Sequence, residues 1–160
     1  MTRMALALIL IVTLVVAGCS GGTTGGIASP TWIDTQVEGN AVSIPAGEVD
    51  SGKMVHFELI SGQSDGMTFM VYRLGGKTYV RAAVCEPCRQ RGRSFSMDGD
   101  VLVCDICGTS FKAGTSEGIS GSCKVYPKAE VAHAITGDKI TMMADDLVAA
   151  YLDTEKPGWP

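Results

Sequence analysis

Two cysteine pairs, Cys85-Glu86-Pro87-Cys88 and Cys104-Asp105-Ile106-Cys107, stand fifteen residues apart. Any fold of this chain must accommodate both tight turns. A C-x2-C turn can aim two sulfurs at one point, and two such turns brought together form a tetrathiolate site suited to zinc or to iron. The spacing identifies a metal site formed by Cys85, Cys88, Cys104 and Cys107 but does not choose the metal.

The amino terminus says where that site works. Arg3 precedes an almost wholly apolar run from Met4 to Val16, which leads to Val16-Ala17-Gly18-Cys19 and then to Ser20-Gly21-Gly22-Thr23-Thr24-Gly25-Gly26. One positive charge, an apolar core short for a spanning helix and small residues before a processing point are the marks of an export signal. Val-Ala-Gly-Cys resembles a lipobox, in which Cys19 is lipidated and begins the mature protein; a plain amino-terminal membrane anchor is the alternative. Either places the rest of the chain outside the cytoplasm, held at the membrane surface. The expected division is a signal peptide over 1–18, a lipid anchor and flexible tether over 19–40, a β-rich metal domain over 41–154 and a tail over 155–160.

Without residues 1–18 the chain keeps 142 residues and loses only Arg3 among its charges, leaving 12 basic against 17 acidic residues, a net of −5. That acidic balance, outside the cytoplasm, gives no reason to expect nucleic-acid binding. The length is that of one domain, large enough to bury a core without a metal as its sole staple. Export also makes disulfides a competitor, since Cys85–Cys88 and Cys104–Cys107 could each close as a redox pair. A thioredoxin-type pair, however, opens a helix in an alternating strand and helix pattern, which this sequence lacks.

The pattern around the cysteines is that of hairpins. In Met54-Val55-His56-Phe57-Glu58-Leu59 the alternation puts Val55, Phe57 and Leu59 on one face and His56 with Glu58 on the other, which makes His56 a surface histidine. Gly75-Gly76, Asp98-Gly99 and Thr136-Gly137-Asp138 each sit between short β-prone runs and predict three hairpins, the first two leading into the cysteine pairs. His133 shares a face with Val131 and Ile135, which predicts a hydrogen-bonded core histidine rather than a ligand. Near the end, Asp145 is a candidate cap for a helix with Leu147, Val148 and Tyr151 as its apolar stripe, barred from extension by Pro157. The fold class is mainly β: a small antiparallel hairpin domain with metal knuckles and a short C-terminal helix.

Gly108 after the second pair would let the backbone turn so that amides point at sulfur. Arg89, Arg91 and Arg93 follow the first pair; beside a thiolate site they would favour metal retention and, for iron, raise the reduction potential, while a solvated basic loop is the alternative. Cys123, in Gly118-Ile119-Ser120-Gly121-Ser122-Cys123, could be an additional ligand, a redox thiol or a packed cysteine; the four-thiol ladder is complete without it. No nucleophile–base constellation and no phosphate-binding glycine loop supports hydrolytic or transferase chemistry.

The stretch from Tyr79 through Cys85-Glu86-Pro87-Cys88, Gly92, Val103-Cys104-Asp105-Ile106-Cys107-Gly108, Phe111, Gly118 and Gly121-Ser122-Cys123 to Pro127 resembles the FtrD-like family of membrane iron–sulfur proteins, over roughly Ala41 to Leu152. The later motif reads Gly-Ser-Cys-Lys where that family would have Gly-Gly-Cys-Asn-Pro. The order of motifs also resembles the Rieske domain, with Cys88 and Cys107 where its histidines would stand. This implies a small all-β frame but not Rieske ligation. What these resemblances imply is an iron–sulfur cluster or iron as cofactor, electron transfer or metal handling for a membrane transport or redox protein, and an extracytoplasmic lipoprotein. A zinc-ribbon-like structural module and a thiol–disulfide redox protein are the alternatives.

Overall fold

The computed structural model describes residues 31–49, 53–60, 66–88 and 94–158. Among the described residues twelve short strands fall into three four-stranded sheets, followed by one α-helix. The central sheet contains β1 (Thr31–Trp32), β4 (Met54–Leu59), β5 (Met67–Leu74) and β6 (Lys77–Ala82), in the order β1-β4-β5-β6. A second sheet, in the order β2-β3-β12-β11, is made of β2 (Gln36–Glu38), β3 (Ala41–Pro45), β11 (His133–Thr136) and β12 (Lys139–Met143). The third holds β7 (Phe95–Asp98), β8 (Val101–Cys104), β9 (Ser110–Lys112) and β10 (Gly118–Ser120) in chain order. All pairings are antiparallel except β1 with β4.

The three expected hairpins form. Gly75 and Gly76, both at positive φ (59° and 80°), close β5 onto β6 with Leu74 opposite Lys77. This is the left-handed backbone that only glycine adopts without strain. Asp98-Gly99 joins β7 to β8, and the Gly137 turn joins β11 to β12. The helix, α1 (Ala144–Thr154), buries Leu147 and Tyr151 on the stripe that the sequence shows. Its cap is different: Met143 occupies the N-cap without a side-chain bond, while Asp145 lies in the first turn and accepts from Asn40 Nδ2 at 3.0 Å. A carboxylate there still complements the positive end of the helix dipole.

The central sheet is covered on both faces, and this organises the molecule. Val55, Phe57, Phe69, Val71, Val80 and Ala82 face the second sheet and α1, packing with Val42, Ile44, Ile140, Met142 and Leu147. Met70, Tyr72 and Ala83 belong to another cluster, with Phe95, Leu102, Phe111, Ala113 and the thiols of Cys85, Cys88, Cys104 and Cys123. Two-sided burial corrects the reading of His56. It lies opposite Met70 in the ladder, is fully buried, and packs beneath Trp32 with ring centroids 5.4 Å apart. Alternation alone places a residue on a face; whether that face is wet depends on the third sheet, which no local pattern reveals.

Two further expectations change. Within the 19–40 segment expected as anchor and tether, Thr31–Trp32 and Gln36–Glu38 form β1 and β2, so strand pairing begins before residue 41. His133 is hydrogen-bonded, with Nδ1 3.0 Å from Val131 O, but it is only half-buried on an edge strand whose Ile135 is 50% exposed. Cys19, the segment before it and the Arg89–Arg93 loop lie outside the described residues.

Candidate metal centre

Three loops converge at one end of the third sheet. The first pair follows β6, where Ala83 N–H still bonds Thr68 O at 2.8 Å before the chain turns through a single 3-10 turn that brings Cys88 N–H to Cys85 O at 2.7 Å. The second pair is the turn of the β8–β9 hairpin, closed by Cys104 N–H to Thr109 O and Gly108 N–H to Cys104 O, both at 2.9 Å. Gly108 at φ 68° makes that closure possible. The third loop follows β10, which is tied to β9 by the hydroxyls of Ser110 and Ser120 at 2.7 Å, and it carries Cys123 inward.

The thiols of Cys85, Cys88, Cys107 and Cys123 all lie within 4.8 Å of one another. Cys85 Sγ is 3.7 Å from Cys107 Sγ, and Cys107 Sγ is 3.9 Å from Cys123 Sγ. For metal–sulfur bonds of about 2.3 Å the edge of a tetrahedron is about 3.8 Å, so these thiols can share one centre. Cys104 adjoins them through a hydrogen bond with Cys85. Thus the fold gathers all five described cysteines, and Cys123, which the ladder did not require, stands among them. All five are free thiols; only Cys107 is exposed.

The electrostatics divide the thiols: Cys104 and Cys123 are favoured as thiolates, Cys85 and Cys88 as thiols. Cys104 is lowered to about 5, chiefly by its bond from Cys85 and, against the cost of burial, by the backbone amides of Ile106 and Cys107. These are the sulfur-directed amides expected of the second turn, supplied from inside the knuckle. Cys85 is pushed up by the same bond with Cys104 and by burial. Burial pushes Cys88 up to about 11. At Cys123 burial works against ionisation, but bonds from Ser122, Cys85, Thr109 and Cys107 outweigh it and lower the thiol.

Two residues that carry no sequence signal complete the site. Thr109 is fully buried in the turn after Cys107; its Oγ1 accepts from Cys107 Sγ at 3.2 Å and from Cys123 N–H at 3.4 Å, joining two of the three loops. Lys128 is 1% exposed and donates from Nζ to Val84 O at 2.8 Å, beside the first cysteine. A lone threonine and a lone lysine in irregular chain have no spacing to betray them. Arg81, 4% exposed, braces this region by donating to Tyr72 Oη, Lys128 O, Gly114 O and Glu130.

The model of the family described as "Membrane iron-sulfur containing protein FtrD-like" matches residues 49–152, which span every element that carries a thiol. The chain belongs to the FtrD-like family. No curated protein matches it. Among solved structures, a chain from the complex of reduced oxygenase and oxidized ferredoxin in carbazole 1,9a-dioxygenase is similar at 19% identity and a TM-score of 0.50, over 66% of this chain and 94% of that one. The ferredoxin of Sphingomonas yanoikuyae B1 is similar at 18% identity and a TM-score of 0.47, over 62% and 92% of the two chains. The ferredoxin of carbazole 1,9a-dioxygenase from Nocardioides aromaticivorans IC177 is similar at 16% and 0.46, again over 62% and 92%. The first of these likenesses is one of fold, and it agrees with the small β frame expected from the Rieske-like order of motifs.

This FtrD-like chain is an iron–sulfur protein of a membrane-associated family. Its residues fit that cofactor: a set of soft thiolate donors, buried on all sides but one, served by backbone amides and a buried cation. Among the described residues no helix is long and apolar enough to cross a membrane.

Proposed function

We propose that the chain is an extracytoplasmic, lipid-anchored electron carrier that serves a membrane transport or redox protein. The observation that carries this reading is the convergence of five thiols in a family whose described property is membrane iron–sulfur content. Cys85, Cys88, Cys107 and Cys123, with Cys104 beside them, would hold the group. When bound, it supplies reversible one-electron storage.

The residues of the chain do the rest. Burial of four thiols limits access by water, while the exposed Cys107, next to Ile106 at 39% exposure, marks the side by which an electron would enter and leave. The rigid hairpin β8–β9 holds that edge in place, so little reorganisation would accompany a change of charge. The lipobox-like Val-Ala-Gly-Cys and the glycine-rich segment after it support anchoring through Cys19, which would keep this edge near partners in the membrane.

The test is iron and acid-labile sulfide content of the full chain, purified in detergent without oxygen, together with reversible reduction followed by absorbance. Iron with matching sulfide is expected. Iron without sulfide would mean a single tetrathiolate iron, and zinc alone would refute the carrier and leave a structural staple. For the anchor, mass spectrometry of the amino-terminal peptide should find Cys19 as its first residue and carrying acyl chains, lost in Cys19→Ala; an unmodified Cys19 in the wild-type chain would refute lipidation at that residue.

A further inference from the structure

Lys128 does not resemble an ordinary lysine of a β domain. It is 1% exposed and packed between two rings, with Nζ 4.7 Å from the Phe111 centroid and 5.6 Å from that of Phe95. An ammonium removed from water costs several kcal/mol unless charge or dipoles compensate it, and lysine is among the residues least often buried whole without a partner. Glu130, two residues on, is held by Arg81 at 3.0 Å and by Lys77 at 2.9 Å. Among the described residues Lys128 Nζ donates to Val84 O and lies over the faces of two phenylalanines. Those two rings belong to the same buried cluster as Cys85, Cys88, Cys104 and Cys123, so the groups there that can become negative are the thiols.

Its placement is also fixed from both sides. Lys128 N–H donates to the hydroxyl of Ser116, a residue held at φ 64°, and Lys128 O accepts from Arg81 Nη1 at 2.8 Å. A non-glycine residue in the left-handed region is held there by its surroundings. The chain therefore anchors the backbone of this lysine firmly and directs its cation into the cysteine-bearing core.

We propose that Lys128 is the built-in counter-charge of the thiolate group, a positioning residue that strengthens metal binding and raises the reduction potential of the bound iron–sulfur group. The potential half of this inference rests on the electron-carrier reading; the binding half does not. A positive charge in a water-poor core favours the more negative, reduced state. It also offsets part of the repulsion among thiolates drawn to one point, which is the main electrostatic obstacle to loading the site. Without metal the same cation is a liability, and that asymmetry separates this role from a merely structural one.

The test compares Lys128→Met, Lys128→Gln and the control Lys139→Met in the full chain in detergent; Lys139 is exposed and bonds Gln36 on the second sheet. Glutamine keeps a donor for Val84 O without the charge. Cobalt(II) is titrated into metal-free protein and read by its thiolate absorption, urea unfolding is followed in the same metal-free protein, and the midpoint potential is measured on iron-loaded protein. Both Lys128 variants should bind cobalt(II) at least tenfold more weakly while the metal-free proteins unfold at the same or higher urea concentration. The potential should fall by at least a tenfold change in the redox equilibrium, about 59 mV for one electron. Affinity and potential within threefold of wild type would overturn the proposal, and so would loss of the metal-free fold in both variants, which would assign Lys128 to the frame. If wild-type protein proves to hold no iron and sulfide, the carrier reading falls while the cobalt comparison still decides the role of Lys128.

Discussion

Gly121→Ala should damage the centre from a position that touches no metal. Gly121 lies at φ 93°, and a Cβ built there would meet Thr109 at its Oγ1, at Cα (2.7 Å) and at Cβ (2.9 Å). Backbone atoms cannot swing aside as a side-chain tip can. The left-handed conformation costs an L-residue about 1–2 kcal/mol, and overpacking against a buried neighbour typically adds about 1–3 kcal/mol. The sum expected is about 2–5 kcal/mol, a large share of the roughly 5–15 kcal/mol that holds a domain together. Relaxation has an obvious direction: the Cys123 loop lifts from Thr109, which weakens the bonds that Thr109 Oγ1 accepts from Cys107 Sγ and Cys123 N–H. Urea unfolding of metal-free protein would read the stability loss, and iron per chain after loading would read the displaced thiol. A loss below about 1 kcal/mol with full iron content would refute the reasoning, because it would mean that the two loops are not wedged together at Gly121.

Four further outcomes are expected. Cys123→Ser should lose more than half of the bound iron, since its thiol stands within 4.8 Å of Cys85, Cys88 and Cys107; full retention in metal analysis would make it a packed thiol outside the ligand set. His56 is lowered to about 4 by burial, partly opposed by Asp105, so the unfolded chain binds the extra proton between the unfolded value near 6.5 and about 4. Stability contributed by neutral His56 is therefore whole above pH 6.5 and is lost as pH falls toward 4, on the order of 3 kcal/mol; in urea unfolding across that range His56→Gln should show a flatter pH slope, and an unchanged slope would refute the assignment. Arg81→Met should cost about 2 kcal/mol by urea unfolding, because it strands the buried carbonyl of Lys128 and removes one donor from the Tyr72 hydroxyl, which keeps its bond to Ala113 O; a loss under about 1 kcal/mol would show that the Lys128 carbonyl repairs its bond elsewhere. Removal of iron by a chelator should speed amide hydrogen exchange in β7–β10 while β3, β12 and α1 keep their protection, and uniform loss would mean that the two cores unfold together.

The sequence announces what depends on local spacing. Gly75-Gly76, Asp98-Gly99 and Gly137 specify hairpins because their turns need positive φ, and the paired cysteines specify knuckles because each turn is closed within four residues. His56 shows where legibility ends. Its alternation with Val55 and Phe57 is correct, yet the face that it occupies is covered by Trp32 and by Phe95, whose N–H donates to His56 Nε2 at 3.3 Å from thirty-nine residues away. Cys123 and Lys128 are illegible for the same reason. Their roles come from the return of the chain after β10 to a site begun at Cys85, and no periodicity encodes that return.

The two cores explain how one small domain can both fold and carry a redox group. The cluster between the central sheet, the second sheet and α1 holds none of the cysteines, so its packing involves no metal ligand. The other cluster mixes Tyr72, Phe95, Leu102 and Phe111 with four buried thiols, so its packing and its ligation are the same contacts. A chain stabilised by metal alone, as small zinc modules are, would couple every change at the site to unfolding. Here β5 divides the two functions residue by residue: Phe69 and Val71 point into the metal-free core, Met70 and Tyr72 into the thiol-bearing one. The strand that anchors the fold thus also supports the floor of the site, and a change of charge among the thiols meets a frame already held in place by the core on the opposite face.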